Sequence, residues 1–416
     1  MQGSDTSSTP RFKAAAQGVE ETLRSVIEPL AALERGAGSP GEKQAAEMLV
    51  KRFERVGAPA HIDEEEFLDG YARLMLPLGA AGLVAGLLAT RGRRVLPAVL
   101  ATASTAAMVD DVENGWRLWR RAVGCRKTTW NVVAECGDLT AGRTLVVMAH
   151  HDAAPTGVAF DQGFQRWLAK RFPTLVQRTD TALPIWWPVV AGPVLTMMAA
   201  LTGRRGLARA ASALSALSVG LGADIARGRI VPGANDNLSG VGALVALAER
   251  LRDDPVARVR VMLVSCGAEE VLQGGVYGFV ERHLKPLDPT RTWVLNLDSV
   301  GSPELLMVEG EGPFWMHEYC DPSFRDRVAS VTERATGAPL RRGTQARAST
   351  DSIITSRAGY PTATLVSWEP DTKLISNYHL PTDVPENLCW ETIERTVVVA
   401  EALARELGEE AGTRDL

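Results

Sequence analysis

The stretch LVVMAHHDAAPTG (residues 145–157) reads as a short buried strand that runs out into a polar turn. Five apolar or small residues lead into His150, His151 and Asp152, and such a cluster at a strand end points to a metal ion. His150 and Asp152 stand two positions apart, so alternation along an extended segment puts both on one side and sends His151 to the other, as a pocket-wall or packing residue. The chain has six histidines, at positions 61, 150, 151, 283, 317 and 379, which leaves few partners to consider.

Working outward, the strand RTLVVMAH (143–150) has companions of the same β-rich character: TTWNVVAEC (128–136), ARVRVMLVSC (257–266), RTWVLNLD (291–298) and YPTATLVSW (360–368). Interleaved with helical stretches such as VGALVALAERL (241–251), they predict an α/β fold with a mixed, largely parallel central sheet flanked by helices. In such sheets functional groups collect where strands end. Residues 17–57 read as helices. In SPGEKQAAEMLVKRFERVG, Ser39 caps, Pro40 takes the first helical position and Glu42 completes a capping box. Ala45, Ala46, Leu49, Phe53 and Val56 then mark one core-facing side, and Gly57 ends the helix.

A length of 416 residues, with 23% charged and 45% hydrophobic residues, describes a globular protein. A net charge of −5 gives no electrostatic reason to expect nucleic acid as a partner. The five cysteines form no CxxC pair and are odd in number, which signals neither a zinc ribbon nor a disulfide framework; they read as buried apolar residues of a reducing compartment. The N-terminal MQGSDTSSTPRFKAAAQG lacks the apolar core of a secretory signal, so the start of the chain is expected to stay in the cytosol.

Two apolar blocks interrupt the α/β pattern, and each reads as a helical hairpin. The first joins the uncharged run 74–90 to 95–109 through RGRR; the second joins 181–203 to 210–223 through RRGLAR. A spanning helix needs about 20 apolar residues, a length that only the 181–203 run clears comfortably. Trp186 and Trp187 at an edge fit a membrane interface better than a core, so hairpins in contact with lipid are expected over helices buried in a soluble cap. Basic residues gather at the feet of the hairpins (Arg117, Arg120, Arg121, Arg126, Lys127, Arg166, Lys170, Arg171, Arg178, Arg227 and Arg229) more than at their tips. This bias places the main domain on the cytoplasmic side. The expected division is a main domain in three parts, 1–70, 111–178 and 226–416, with hairpin inserts at 71–110 and 179–225.

The remaining strand ends supply the partners of His150 and Asp152. GANDNLSG (233–240) sets Asp236 in a glycine-flanked loop before a helix, and CGAEEVLQGG (266–275) puts Glu269 and Glu270 directly after a strand. VLNLDSVGS (294–302) ends its strand at Asp298, and ISNYHLPTDVPENL (375–388) offers Tyr378 and His379. Imidazole and carboxylate ligands of this kind suit a borderline divalent ion, above all zinc. Two histidines and three carboxylates suffice for two ions if one carboxylate bridges them. Each residue alone has a plainer reading as a cap, a solvated turn or an Asx turn; five motifs together do not.

HxD, GANDNxSG, GAEE with a following glycine pair, a strand-terminal Asp and YHxPxDxxEN occur in the order seen in the co-catalytic di-zinc aminopeptidases of metallopeptidase clan MH, family twenty-eight. That group, whose relatives include glutamate carboxypeptidases and glutaminyl cyclases, is similar to this chain over about residues 35–70 and 128–405, apart from the apolar inserts. The resemblance implies two zinc ions per chain. His150 and Asp298 would hold the first, Asp236 would bridge, and Glu270 and His379 would complete the second. Glu269 would be the general base, Asp152 would orient the ligands, and Tyr378 would donate to the developing oxyanion. The activity implied is that of a zinc exopeptidase, most of all an aminopeptidase, acting on peptides and associated with membrane lipid through the hairpins. The alternatives are a single-zinc aminoacyl transferase of glutaminyl-cyclase type and a catalytically silent membrane scaffold. This chain departs from the family pattern in the 86 positions between His150 and Asp236 (236 − 150), which contain the second hairpin, and in STDS (349–352), where Ser352 stands in place of a histidine and leaves Asp351 without an assigned role.

Overall fold

The computed structural model describes residues 18–181 and 186–414. The expectations for the N-terminal stretch up to residue 17, and for residues 182–185 of the second apolar block, lie outside the described residues. Nine strands form one sheet: β1 (Ala60–Asp69), β2 (Cys125–Gly137), β3 (Thr144–His150), β4 (Arg260–Cys266), β5 (Thr292–Asp298), β6 (Glu304–Glu311), β7 (His317–Glu318), β8 (Arg341–Ala346) and β9 (Thr362–Trp368). Their order is β1-β2-β4-β3-β5-β9-β6-β7, with β8 on β6. The four central strands β4, β3, β5 and β9 run parallel, and β1, β2, β6 and β7 join antiparallel. The expected α/β fold with a mixed, largely parallel sheet is therefore the fold observed.

Strand β3 shows why its sequence is continuously apolar. Leu145, Val147 and Ala149 enter the core on one face of the sheet, while Val146 and Met148 enter the core on the other. The first face is covered by α1 (Val19–Ala31), α2 (Pro40–Arg55), a later helix Ser239–Asp253 and the long C-terminal helix, through Leu23, Phe53, Leu244 and Val397. The second is covered by Val276, Phe279 and Ile353. His150 of β3 pairs with Cys266 of β4, so the HHD turn and the turn after β4 leave the sheet side by side.

Four strands, β1, β6, β7 and β8, and the role of one side chain, Glu42, escaped the sequence reading. β1 is AHIDEEEFLD, an edge strand whose five acids hide its alternation; it pairs only with β2. The Glu42 carboxylate turns back to the Gly38 N–H, one residue before the cap, and not to the Ser39 N–H that a capping box requires. Ser39 Oγ does accept the Glu42 N–H at 3.1 Å, but the Glu42 side chain accepts from Gly38 N, Thr129 Oγ1 and Ala268 N at 2.7–2.8 Å. It is drawn inward because the Ala268 N–H, at the turn after β4, has no strand partner. All five cysteines are free, but only Cys266 is buried; Cys136, Cys320 and Cys389 are half-buried and Cys125 is exposed, which corrects the expectation that they are all buried.

Arg35 is wholly buried, and burial lowers its pKa to about 10. Its guanidinium donates to the carbonyls of Leu30, His151 and Pro232 at 2.6–2.8 Å, tying α1 to the loops that follow β3 and precede Asp236. Arg35→Met should leave the His151 and Pro232 carbonyls without this donor, while Leu30 keeps the Leu33 N–H, and cost about 3 kcal/mol. An unchanged urea midpoint, followed by circular dichroism, would contradict this role.

The apolar blocks form four helices: α3 (Tyr71–Thr90), α4 (Val95–Val112), α5 (Trp187–Thr202) and α6 (Arg205–Ile225). The two hairpins pack on one another, α6 against α3 and α4 against α5, as one bundle. Three of these helices, α3, α4 and α6, are long and apolar enough to cross a membrane; α5, from the run that exceeded 20 residues in sequence, is the shorter one at 16. Helix α3, at 20 residues, is about 30 Å long, close to the hydrocarbon thickness of a bilayer.

Small residues and a few hydroxyls fill much of the bundle's inside, with Met75, Leu78 and Met108 packed at its foot, and large apolar side chains face outward. Gly82, Gly86 and Gly192 bring backbones so close that a Cβ on Gly82 would lie 2.8 Å from Pro193 and one on Gly86 would lie 2.5 Å from Ser212 Oγ. Ser104, Thr196 and Ser215 are buried among them, whereas Val95 is 80% and Leu201 70% exposed. Small-residue contacts of this kind characterise helices packed in lipid. The insertion that separates His150 from Asp236 is closed at its base by a bridge between Pro155 and Ile230, so the two motifs stay adjacent.

Candidate metal centre

All seven carboxylates and imidazoles singled out above, together with Tyr378, reach one buried space at the C-terminal ends of the parallel strands. His150 ends β3 and Asp298 ends β5. Asp236 sits in the ANDN turn just before the helix Ser239–Asp253, where the Asp236–Asn237 peptide bond is cis. Gly233, with φ 59°, holds the left-handed entry to that turn, and a Cβ there would meet the Asp236 carbonyl at 2.6 Å. Glu269 and Glu270 lie on a single 3-10 turn after β4. A Cβ on Gly267 would lie 2.6 Å from Glu42, so only glycine lets the turn press against its acceptor.

Asp236 has the geometry of a bridge. Its Oδ1 lies 3.3 Å from His150 Nε2 and its Oδ2 lies 3.2 Å from His379 Nε2. Glu270 Oε2 lies 3.1 Å from the same His379 nitrogen, and Glu269 Oε2 is 3.9 Å from His150 Nε2. His379 Nε2 makes no hydrogen bond with either neighbouring carboxylate despite these distances, and Glu270 Oε1 is also without a partner. Ligands 2.0–2.1 Å from one tetrahedral zinc sit roughly 3.3 Å apart and aim at the ion, not at each other. His150, Asp236 and Glu270 also offer ligand atoms that all lie within 4.8 Å. The donor set therefore fits zinc.

The electrostatics agree. Burial raises the Glu270 carboxyl to about 7, against the pull of His379, and raises Asp298 to about 6, against the pull of His150. Burial also lifts Glu269 well above the usual carboxylate range, and the negative charges of Asp351, Glu270 and Asp298 add to it. Burial alone would lower both imidazoles, but Asp152 and Asp236 carry His150 well above its ordinary value, and Glu270 and Asp236 carry His379 to about 10. A crowd of acids that drives up its own proton affinity is one that divalent cations relieve.

The surrounding shell orients these groups. Asp152 accepts the backbone N–H groups of Glu269 and Glu270, each at 3.0 Å, and faces His150 Nδ1 at 3.3 Å. Gln273 Nε2 donates to Glu269 Oε1 at 2.9 Å and holds that side chain in place. Asp383 accepts from the backbone of Asn235 at 2.7 Å and of Asp236 at 3.1 Å. It lies inside the YHxPxDxxEN motif, whose spacing signalled it although no role was drawn from it. Asp383→Asn should turn one acceptor into a donor facing an N–H and weaken zinc binding about 10- to 100-fold. Competition with a chromophoric chelator measures this; unaltered affinity would remove Asp383 from the support.

His151 points the other way, as alternation required, with Nδ1 2.9 Å from Ser265 Oγ. Tyr378 stacks on His379 with ring centroids 3.9 Å apart. Burial, followed by the charges of Asp236 and Glu270, lifts its hydroxyl pKa well above the ordinary value, so it keeps a proton to donate. Asp351 is buried beside the site with both oxygens unpartnered, and burial raises it to about 7. Of the remaining histidines, His283 pairs with Asp63 at 2.6 Å and lies outside this space, as does His61.

The family model described as peptidase family M28 matches residues 218–404, the segment that holds Asp236, Glu269, Glu270, Asp298 and His379. Over that segment the chain is similar to the family that its motifs resemble. No curated protein matches the chain by sequence. Among solved structures, the aminopeptidase from Aneurinibacillus sp. strain AM-1 superposes with a TM-score of 0.54 at 15% identity, covering 94% of this chain and 95% of that one. A zinc aminopeptidase from Bacillus subtilis gives 0.53 at 14% identity, covering 94% of each. The glutaminyl cyclase of Bacteroides thetaiotaomicron gives 0.52 at 11% identity, covering 95% of this chain and 97% of that one. At these identities the likeness is one of fold.

Proposed function

We propose that this chain is a zinc-dependent aminopeptidase held in a membrane by its four apolar helices, with the catalytic part on the cytoplasmic side. The observation that carries the reading is the Asp236 carboxylate, each oxygen of which faces a different histidine. His150 and Asp298 would hold one zinc, Glu270 and His379 the other, with Asp236 between them. When bound, the metal supplies Lewis acidity that polarises a carbonyl and eases deprotonation of water.

The residues of the chain do the rest. Glu269 takes a proton from the attacking water, whose oxygen joins the scissile carbonyl carbon. As the C–N bond breaks, Glu269 returns that proton to the leaving amine, which yields a free amino acid and a peptide shortened by one residue. The Tyr378 hydroxyl donates to the carbonyl oxygen as charge gathers on it. Asp152 and Gln273 keep the two adjacent glutamates on separate tasks. The membrane reading is supported by the apolar outer faces of the bundle, and its sidedness by the basic residues at the bundle's foot; of these Arg120 is buried in an ion pair with Asp111 and does not count towards the bias.

Zinc counting tests the site. Purified chain dialysed with limiting chelator should retain two zinc ions by plasma mass spectrometry and lose peptide hydrolysis when both are removed. One zinc with ring closure of an N-terminal glutamine would favour a glutaminyl-cyclase type of transfer instead. Binding of none would favour a silent scaffold.

A further inference from the structure

A cavity of about 320 Å³ lies between the bundle and the metal centre. Among the described residues its lining carries no charge, and among its walls are Tyr71 and Met75 of α3, Leu217 and Gly222 of α6, and Trp186 and Phe160. The inserted helices thus build most of it. Phe160 joins the two regions: its ring meets the His379 ring edge-on at 4.4 Å and the Tyr378 ring at 6.1 Å. Tyr71 packs edge-on against Trp186 at 6.1 Å. The foot of the bundle is also fixed to the catalytic turn, for Leu272 packs with Met75 and Met108, and buried Arg120 donates to the Val271 carbonyl at 3.1 Å.

We infer that this cavity receives the aliphatic chain of an amphiphilic aminoacyl substrate whose polar end lies on the metal centre. The inference rests on the hydrolytic reading above and adds the substrate class. An apolar chamber walled by helices whose outer faces are themselves apolar suits a substrate drawn from a lipid phase. The absence of charge in the lining disfavours lysine, arginine or acidic side chains, which would be buried there without partners. A linear alkyl chain needs no polar partner and gains from every methylene removed from water.

The test is a series of p-nitroanilides of straight-chain α-amino acids, from alanine to 2-aminododecanoic acid, with the full chain in lipid nanodiscs. Early in the series kcat/KM should rise about fourfold per methylene. Gly222→Leu, whose Cβ would find Leu76 at an ordinary 3.4 Å, should fill the cavity and drive the long-to-short ratio towards one; Ser218→Leu provides a second filling variant. A flat series in the wild type, or a ratio unaltered in both filling variants, would overturn the inference and leave the cavity to a bilayer acyl chain. Binding of 2-aminododecanoic acid and of alanine to Glu269→Gln, by calorimetry, separates the two readings. Chain-length-dependent binding without hydrolysis of any anilide by the wild type sinks the peptidase reading and keeps the cavity; hydrolysis with no length dependence in either readout does the reverse.

Discussion

Glu269→Gln should lower kcat about 10³-fold while zinc content stays the same. Glutamine has nearly the shape of the carboxylic acid, and its carbonyl oxygen can still accept from Gln273, which now approaches Oε1 at 2.9 Å. The turn is held by backbone hydrogen bonds to Asp152, which the substitution does not touch. What is lost is the ability to carry a proton from water to the leaving amine, so KM should move little. Zinc content and kcat measured on the same preparation decide the matter. Full activity in the variant would reassign the base, and loss of zinc together with activity would make Glu269 a ligand instead.

Asp236→Ala should empty both metal positions at once. Each Asp236 oxygen faces one histidine, so this one side chain touches both halves of the site. Loss of the Lewis acid removes several kcal/mol of transition-state stabilisation, which is about 10³-fold or more in rate. Glu270→Ala, by contrast, should weaken the position shared with His379 and leave the His150 side occupied. Anomalous scattering at the zinc edge from crystals of the two variants would compare them directly. Retention of two ions in Asp236→Ala would refute the bridge.

Much of this candidate site could be read in the sequence because each proposed ligand ends a strand or lies in a turn, and those positions carry their own signals. The apolar run before His150 marked β3, and the glycines around Asp236 marked a loop pressed against Arg35. The helical inserts were equally legible as apolar blocks, although their packing was not. Gly82, Gly86 and Gly192 act across the bundle, and nothing local to either hairpin showed that the two would meet. Glu42 was hidden by a good local explanation: as a helix N-terminal acid it fitted a cap, while its partners Thr129 and Ala268 lie 87 and 226 positions away. Asp383 lay in plain view inside a motif, but its task is to hold a backbone far along the chain. β1 was lost to its acids, which an edge strand tolerates and a central strand would not.

The most direct test of the account is the time course of a ten-residue peptide incubated with the zinc-loaded chain and followed by mass spectrometry. The account predicts a ladder that shortens one residue at a time from the amino end, stops when zinc is chelated, resumes when zinc is restored and is nearly absent with Glu269→Gln. An intact peptide after prolonged incubation with two zinc ions bound, or a ladder that persists in the chelated protein, would contradict it.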